Sequence, residues 1–363
     1  MSQENDNKSK VLKLALISEY PPPAAGMTVL AQDFAERMQQ EGAQVYRVIT
    51  NPHIKGFNWL LKIPLLKTLY RFSLFLMQCL LLFRCNVIHV FSASGLNFFL
   101  FTLPPLFFAT LYRKPILLHY HGGSAQEFFQ SRRKLLAWSM KHCRRFVVPS
   151  RYLAKVFAEF GFTVDIIANH ANVERFHFKA REFSKPVVLS VRNLTAVYNV
   201  QCAVKAFAKL QAKYPDAEFY ILGDGPERAN IASLVARLAL RNVFLTGNID
   251  NDRVPDYFAR ANILINASNV DNMPGSIIEA FASGLPVVTT SAGGIPYMQD
   301  QKATCLLSSI NEDQQLGDNL IRVMQDSVLR QSIVSNAHEY LQSLHWNAIK
   351  QQWLMLYNQL KDN

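Results

Sequence analysis

Short apolar runs of strand length alternate with stretches of helical periodicity along the chain, in two series. The first series has six runs: Leu12–Ile17, Gln44–Ile49, Val87–Phe91, Ile116–Tyr120, Phe146–Val148 and Val164–Ile167. The second series has five: Val187–Val191, Phe219–Leu222, Val243–Leu245, Ile263–Ile265 and Val287–Val288. Alternation of this kind predicts an α/β protein with parallel sheets that are covered by helices on both faces.

A polar, charged and poorly periodic stretch at Asn172–Pro186 separates the two series and predicts a linker. The chain has 363 residues, which at roughly 150 residues per domain indicates two domains. We expect two doubly wound, Rossmann-like domains, at residues 1–175 and 176–344. Because such sheets bind ligands at the carboxyl ends of their strands, two facing domains predict one site in the cleft between them.

The net positive charge of the chain comes from its first half alone. Lysine plus arginine number 38 and acids 27, a balance of +11. Residues 1–175 hold 21 basic and 10 acidic residues, whereas residues 176–363 hold 17 of each. Between Gly42 and Ala158 the sole acid is Glu127. This imbalance predicts an anionic partner or surface for the first domain.

Two basic clusters of the first half differ in their apolar content. The first cluster mixes Lys62, Lys67 and Arg71 with Trp59, Leu60, Leu61, Ile63, Leu65, Leu66, Leu69 and Tyr70. The second contains Arg132, Arg133, Lys134, Lys141, Arg144, Arg145 and Arg151. Apolar anchors among cations favour an anionic membrane surface as the partner. The alternatives are a solvated face over a buried stripe and a nucleic acid, for which the sequence has no motif.

Neither of the two long apolar stretches is expected to span a membrane. Phe72–Phe83 has 12 residues, fewer than the roughly 20 that a span needs. Cys85–Tyr112 has 28 residues without a formal charge. Its polar residues and the pair Pro104-Pro105 predict a strand, a turn and a bent buried helix instead.

The cysteines indicate a reducing compartment. There are five, widely spaced and without a CxxC pair: Cys79, Cys85, Cys143, Cys202 and Cys305. A disulfide framework is therefore not expected. Since the polar start of the chain shows no signal-peptide core, we expect a cytoplasmic protein, peripheral on the inner face of the membrane.

The most informative stretch of the sequence lies between Asp271 and Val288. Ser276 and Glu279 have the spacing of a capping box, and Gly284 would end the helix that this box begins. Free amides at such a helix start could hold a phosphate or a sugar hydroxyl. The alternative is that Glu279 only caps its own helix.

This stretch resembles the donor-site signature of family 4 glycosyltransferases, which have the GT-B fold. The signature is E-x7-E followed by A-x-A-x-G-x-P-V-V, and the matching positions are Asp271, Glu279, Ala280, Ala282, Gly284, Pro286, Val287 and Val288. Further family motifs follow in the same order along nearly the whole chain, at Pro21–Gly26, His119–Gly123, Val148–Tyr152, Asn169–Phe176, Leu222–Pro226, Phe244–Gly247 and Ala292–Pro296.

The resemblance implies a retaining glycosyltransferase that takes a nucleotide sugar as co-substrate. The implied catalytic residues are His121, Arg192 and Asp271. The implied donor-binding residues are Gly26, Arg192, Asn248, Ile249, Met273, Pro274, Gly275, Ser276 and Glu279. It also implies that the last helix, near Trp346–Leu360 within residues 345–363, crosses back onto the first domain.

Each implied role has its own chemistry. Arg192 and the amides around Gly275 and Ser276 would stabilise the charge on the leaving diphosphate, and Gly26 would let the backbone approach it closely. Glu279 would hold the ribose hydroxyls. Asp271 would meet the donor sugar and His121 would lie near it, while Asn248 and Ile249 lie near the expected base pocket.

No metal or other cofactor is expected. Asp250-Asn-Asp252 imitates the D-x-D metal motif of another glycosyltransferase architecture, but we interpret Asp252 as the N-cap of a helix at Val254–Arg260. No cluster of histidine, cysteine or acids has metal-ligand spacing.

The sequence departs from the family where a lysine commonly follows the arginine, because Tyr198 stands there and carries no cation. We therefore keep three readings. The first is a glycosyltransferase with a glycan or lipid-linked acceptor, acting in cell-surface polysaccharide or lipopolysaccharide-type synthesis. The others are a nucleotide-sugar 2-epimerase of the same architecture and a non-catalytic membrane- or partner-binding protein on a degenerate transferase scaffold.

Overall fold

The computed structural model describes residues 11–22, 26–52, 64–122, 125–299 and 302–362. The chain forms two compact units. The first consists of Met1–Pro149, Leu153–Asn169 and Lys350–Asn363, and the second of Ser150–Tyr152 and His170–Ile349. Each is a doubly wound α/β unit, as the alternation of strands and helices predicts.

The first unit is built on a parallel six-stranded sheet. Its strands are β1 (Lys13–Ser18), β2 (Gln44–Ile49), β3 (Val87–Ser92), β4 (Ile116–Tyr120), β5 (Arg145–Val148) and β6 (Asp165–Ile166). They lie in the order β2-β1-β3-β4-β5-β6, and every pairing is parallel. The six predicted runs become these six strands, with bounds that shift by one residue at most. Strands β1, β3 and β4 are almost entirely buried, so the core lies on both faces of the sheet.

Six helices connect the strands of the first unit in the part of the chain that the structure describes. They are α1 (Gly26–Gln40), α2 (Pro64–Leu80), α3 (Leu96–Phe101), α4 (Leu103–Leu111), α5 (Ala125–His142) and α6 (Arg151–Glu159). A 3₁₀ turn at Leu81–Arg84 continues α2. Because parallel crossovers are right-handed, α1 covers one face of the sheet and α2 to α6 cover the other.

The bend predicted for the helix after β3 is confirmed, but the prediction that this helix is buried is wrong. The helical stretch Leu96–Leu111 is divided into α3 and α4, which meet at Thr102, two positions before Pro104. Neither is fully buried, since Leu96, Phe107 and Leu111 are 60–70% exposed. Proline lacks the N–H that would continue α3, so the break follows from the sequence.

Among the residues that the structure describes, one helix is long and apolar enough to cross a membrane by length and composition, at Leu66–Arg84. It is longer than the predicted apolar stretch because it includes Lys67 and Arg71. It is also part of the first unit, since the Gln78 side chain hydrogen-bonds both the N–H (2.9 Å) and the C=O (3.2 Å) of Ile49 at the end of β2.

The end of the chain completes the core of the first unit. The helix α13 (Trp346–Asp362) runs from the second unit into the first. There Trp353 packs edge-on against Phe34 of α1 at 5.3 Å and stacks on His89 of β3 at 5.0 Å. The Tyr357 hydroxyl lies 2.7 Å from Nδ1 of the same histidine. Trp353 and Tyr357 are fully buried, so they act as core residues.

The second unit repeats the architecture. Its strands are β7 (Val187–Val191), β8 (Glu218–Leu222), β9 (Val243–Gly247), β10 (Ile263–Asn266), β11 (Val287–Thr290) and β12 (Leu306–Ser308), in the order β12-β11-β10-β7-β8-β9. Its helices are α7 (Val200–Lys213), α8 (Arg228–Arg237), α9 (Val254–Arg260), α10 (Gly275–Ser283), α11 (Asp313–Gln325) and α12 (Ser327–Gln342). The sequence predicts the first five strands and misses β12, which has only three residues.

Candidate active site

Arg192 lies where two neighbouring strands of the second unit end. It follows β7, and the adjacent strand β10 ends at Asn266. Its Nε donates to Asn266 Oδ1 at 3.0 Å, and its Nη2 donates to Asp271 Oδ2 at 2.6 Å. Both side chains of this ion pair are 13% exposed. The guanidinium is therefore fixed from two sides at the ligand-binding edge of the sheet.

The ring of Tyr198 supports the same guanidinium. The Arg192 Cζ lies 5.0 Å from the ring centroid, within the range of a cation–π contact. Tyr198 ends a 3₁₀ turn, Ala196–Tyr198. Among the contacts that the described residues make, none occupies Arg192 Nη1, so this nitrogen keeps its two N–H donors for a ligand.

Two glycines hold the loop that carries Asp271. A Cβ on Gly293 would collide with the carbonyl oxygen of Asp271, and one on Gly294 with that of Asn272. Gly294 N donates to Asp271 O at 2.8 Å, and Asn272 N donates to Asp271 Oδ1 at 2.9 Å. Burial raises the pKa of Asp271, and the charge of Arg192 opposes that rise. The close backbone approach requires glycine at both positions.

The Arg192 loop is held in the same way by Gly223 and Gly225. A Cβ on Gly223 would collide with the carbonyl oxygen of Arg192, and one on Gly225 with that of Leu194. Both glycines have positive φ, at 127° and 158°. The Gly-x-Gly turn after β8 therefore positions the guanidinium-bearing loop.

The helix α10 begins beside the ion pair, directly after the Asp271 loop. Pro274 is its N-cap, and no side chain caps it. The predicted capping box is therefore wrong: Ser276 lies inside the first turn, because Pro274 with ψ 123° occupies the cap position. Gly284 does end the helix, with φ 73°. Within the described chain, the backbone N–H groups of Gly275 and Ser276 have no protein acceptor.

Glu279 lies on the second turn of α10 and keeps its acceptor atoms free. Its carboxylate makes no hydrogen bond or ion pair with any residue that the structure describes. Burial raises its pKa to about 7, although the charges of Arg175 and Arg192 act to lower it. A carboxylate held in this way can accept hydrogen bonds from a pair of hydroxyl groups.

Two family models match consecutive parts of the chain. The model for Glycosyltransferase Family 4 matches residues 24–175, and the model for Glycosyl transferases group 1 matches residues 172–340. The chain belongs to glycosyltransferase family 4.

Relatives and solved structures agree with the family assignment. N-acetyl-alpha-D-glucosaminyl L-malate synthase of Bacillus anthracis is 28% identical over 183 residues, 50% of this chain and 47% of that protein. Alpha-monoglucosyldiacylglycerol synthase of Acholeplasma laidlawii is 24% identical over 201 residues, 54% of this chain and 48% of that protein. The chain thus spans about half the length of the curated relatives it matches.

The fold is shared with HepE of Anabaena, solved in complex with UDP-glucose. The two chains align with a TM-score of 0.74 over 96% of this chain and 100% of that one, with 17% sequence identity. Both units of the family 4 chain thus have the GT-B architecture that the sequence predicts.

Two of the residues that the family resemblance implies lie in the first unit. Gly26 is the first residue of α1, and a Cβ there would meet open space; Pro23–Ala25 of its motif lie outside the described residues. His121 follows β4, and its ring stacks on Phe91 at 5.5 Å. Burial lowers the pKa of His121 to about 3, so its imidazole is neutral near pH 7.

The remaining implied residues lie at the carboxyl edge of the second sheet. Met273 and Pro274 lead into α10. Asn248 and Ile249 follow the edge strand β9, which is separated from β7 by β8. The structure therefore brings Arg192, Asp271 and the start of α10 together and places the other pair further along the same edge.

Asp252 does not cap the helix that follows it. A 3₁₀ turn at Asn251–Arg253 precedes α9, so Arg253 holds the cap position without a side-chain hydrogen bond. Asp252 is 96% exposed and pairs with Arg175 at 3.0 Å. In the described parts of the chain, no group of three or more His, Cys, Asp or Glu side chains could hold a metal ion.

Sequence reasoning missed two residues of the site. Asn266 could have been found, because it is the polar residue that directly follows an apolar strand run. Arg175 lies in the polar linker and also in the family motif Asn169–Phe176, which was the signal that could have identified it. It faces Glu279 electrostatically and lines a surface cavity of about 540 Å³ together with Asp252 and Asp256.

Proposed function

We propose that this family 4 chain transfers a sugar from a nucleotide sugar to a glycan or lipid-linked acceptor. In the reaction the acceptor hydroxyl loses its proton, the bond from the sugar C1 to the diphosphate oxygen breaks, and a new C1–oxygen bond forms. The products are the glycosylated acceptor, a nucleoside diphosphate and a proton. Family membership supports retention of the anomeric configuration.

The observation that carries the proposal is the fixed guanidinium of Arg192 at the carboxyl edge of the second sheet. Asn266 and Asp271 orient it, which leaves Nη1 to donate to a diphosphate. The free amides of Gly275 and Ser276 lie at the amino end of α10, where a helix favours anions. Donors that are already in place stabilise the charge on the leaving group without reorganisation.

Each of the other implied residues suits a role toward a nucleotide sugar. Glu279 would accept hydrogen bonds from the two ribose hydroxyls, and its unpaired carboxylate is suited to that role. Asp271 would meet the donor sugar. His121 would serve as a neutral hydrogen-bonding group, because its buried ring does not carry a charge near pH 7. Gly26 would admit the diphosphate.

We further propose that no metal ion takes part. Arg192 and the α10 amides supply the positive field that a divalent cation would otherwise supply. Turnover is accordingly expected to persist in a chelator.

The protein is also proposed to act in the cytoplasm, on the inner face of the cell membrane, in the synthesis of polysaccharide or glycolipid. The basic excess of the first half supports an anionic membrane surface. All five cysteines are free thiols, as suits a reducing compartment.

The test is incubation of the full chain with UDP-, GDP-, ADP- and dTDP-sugars while nucleoside diphosphate release is measured. We expect release from one donor class, and a loss of about 10²- to 10³-fold in Arg192→Ala, comparable to the loss of an oxyanion-hole donor. Arg237→Ala is the matched control, since Arg237 is an exposed arginine of α8 in the same unit.

Each alternative reading has its own outcome. A nucleotide sugar recovered intact with altered configuration at C2 would identify an epimerase. Stabilisation by a nucleoside diphosphate without turnover of any donor would identify a non-catalytic binding protein. Either result would replace the proposal.

A further inference from the structure

The exposed side of the helix α2 is mainly apolar. The inner side chains Phe75, Cys79 and Leu82 (the last in the 3₁₀ turn) are at most 1% exposed. Exposed apolar side chains lie at Leu66, Leu69, Met77 and Leu80, and at Leu81 in the 3₁₀ turn, with exposures of 39–62%, and the exposed Ser73 lies between Leu69 and Met77. A surface helix of a globular protein normally turns polar residues to water. Among the described residues, nothing covers this outer side.

The end of α4 extends the same exposed surface. Phe107 and Leu111 are one helical turn apart and each is 60% exposed. Tyr112 joins the two helices, because its ring meets that of Phe83 edge-on at 5.9 Å and its hydroxyl donates to Leu80 O at 3.1 Å. We call this surface the α2–α4 patch. Its members are Leu66, Leu69, Met77, Leu80, Leu81, Phe83, Phe107 and Leu111.

The elements that form the α2–α4 patch carry cations and no acids. Arg84 is exposed beside Phe83, with its Cζ 5.5 Å from the ring centroid. Arg113 is exposed at the end of α4, and Lys67 lies on α2. The sequence has no acidic residue from position 42 to position 126. Apolar anchors rimmed by cations match the acyl chains and the phosphates of an anionic bilayer.

We propose that the α2–α4 patch docks the protein on an anionic membrane, with α2 lying parallel to the bilayer surface. This inference rests on the proposed function, for which it names the docking surface. The apolar stretch Leu66–Arg84 is long enough to span, but Gln78 and the buried inner face fix it to β2. A helix held on one side can present only its other side to lipid, so α2 lies in the interface.

A second copy of the chain fits this patch less well than a bilayer does. In a symmetric dimer the same patch would face itself. Arg84, Arg113 and Lys67 of one copy would then lie opposite an equally cationic surface of the other copy, which is unfavourable.

The test is co-sedimentation of the full chain with vesicles. One set contains phosphatidylcholine alone and the other contains about 30 mol% phosphatidylglycerol. We expect binding to the anionic vesicles and at least a tenfold weaker partition coefficient at about 0.5 M salt. The double variant Phe107→Ser/Leu111→Ser and the single variant Met77→Ser should each lower partitioning several-fold. These side chains are exposed, so folding is retained.

Matched controls lie outside the patch. Val328→Ser on α12 and Met355→Ser on α13 remove side chains that are 78% and 60% exposed, and neither should change partitioning. Arg84→Gln should weaken binding to anionic vesicles and leave binding to phosphatidylcholine unchanged. The proposal is overturned if the wild type does not bind anionic vesicles, or if patch and control variants partition alike. Sedimentation velocity showing a dimer that the patch variants dissociate would assign the surface to a second copy.

The thermal response to nucleoside diphosphates separates this proposal from the proposed function. If the protein does not bind vesicles but is stabilised by a nucleoside diphosphate, the docking proposal alone is overturned. If it binds vesicles but neither responds to a nucleoside diphosphate nor turns over a donor, the transferase proposal is overturned.

Discussion

Replacing Glu279 with glutamine should stabilise the protein and weaken its ligand binding at the same time. Burial raises the pKa of Glu279 from its ordinary value of 4.5 to about 7. The folded protein therefore holds a proton that the unfolded chain releases between pH 4.5 and 7, so the free energy of unfolding falls as the pH rises through this window. Because glutamine carries no charge, the free energy of unfolding of Glu279→Gln should not fall in this pH window.

The size of the effect follows from the two pKa values. The difference between 4.5 and about 7 corresponds to about 3 kcal/mol when the carboxyl is fully ionised. Because solvent reaches part of the side chain, we expect about 2 kcal/mol. For a unit of this size, Glu279→Gln should raise Tm by about 4–8 °C at pH 8 and change it little near pH 4.5.

The assay is thermal unfolding between pH 4.5 and 8, with and without a nucleoside diphosphate. The exposed Glu312 offers the matched control, and Glu312→Gln should not reproduce the rise in Tm at pH 8. With ligand present, Glu279→Gln should bind at least about tenfold more weakly, because charge-assisted hydrogen bonds are lost. A variant whose Tm follows that of the wild type at every pH would refute the reasoning.

Three further changes test the packing of the site and of the first unit. Gly293→Ala should destabilise the protein by at least about 2 kcal/mol, because its Cβ would collide with the backbone of Asp271. Gly26→Ala should leave Tm unchanged and lower only donor turnover. Equal losses of Tm in the two variants would contradict this expectation. Tyr198→Leu should lower kcat/KM about 2- to 10-fold and Tyr198→Phe should not, since the ring alone supports the guanidinium. Trp353→Ala should cost about 3–5 kcal/mol in chemical denaturation, and a loss below 1 kcal/mol would show that this side chain is not a core residue.

The sheets could be predicted from sequence because their strands are buried on both faces. A strand such as Ile116–Tyr120 is then a mainly apolar run, interrupted by the buried His119, and it lies between Pro115 and His121. The strand Leu306–Ser308 lacked that signal, since it is short and lies at the sheet edge.

Helix starts were harder to predict, because several residues near a start can act as the cap. Ser276 and Glu279 have the spacing of a capping box, yet the backbone of Pro274 ends the loop two residues earlier. Asp252 is a favourable N-cap residue, but an added 3₁₀ turn moves the cap to Arg253. Local spacing does not encode where the preceding loop stops.

The contact between Arg192 and Asp271 joins residues 79 positions apart. Sequence places each of them at a strand end or in a motif, but their contact depends on β7 and β10 being neighbours in the sheet. The support from Tyr198 was likewise unpredicted. Its position was noted only for the cation that it lacks, and the stacked ring became evident from the structure.

The return of α13 into the first unit has a consequence for biosynthesis. Trp353 and Tyr357 fill the first unit's interior, so that interior stays incomplete until the ribosome has passed residue 357. The second unit can finish folding on the nascent chain before the first does, which reverses the usual amino-to-carboxyl order of maturation. Exchange of domains between homologous genes must therefore take α13 and the strands of the first unit from the same parent.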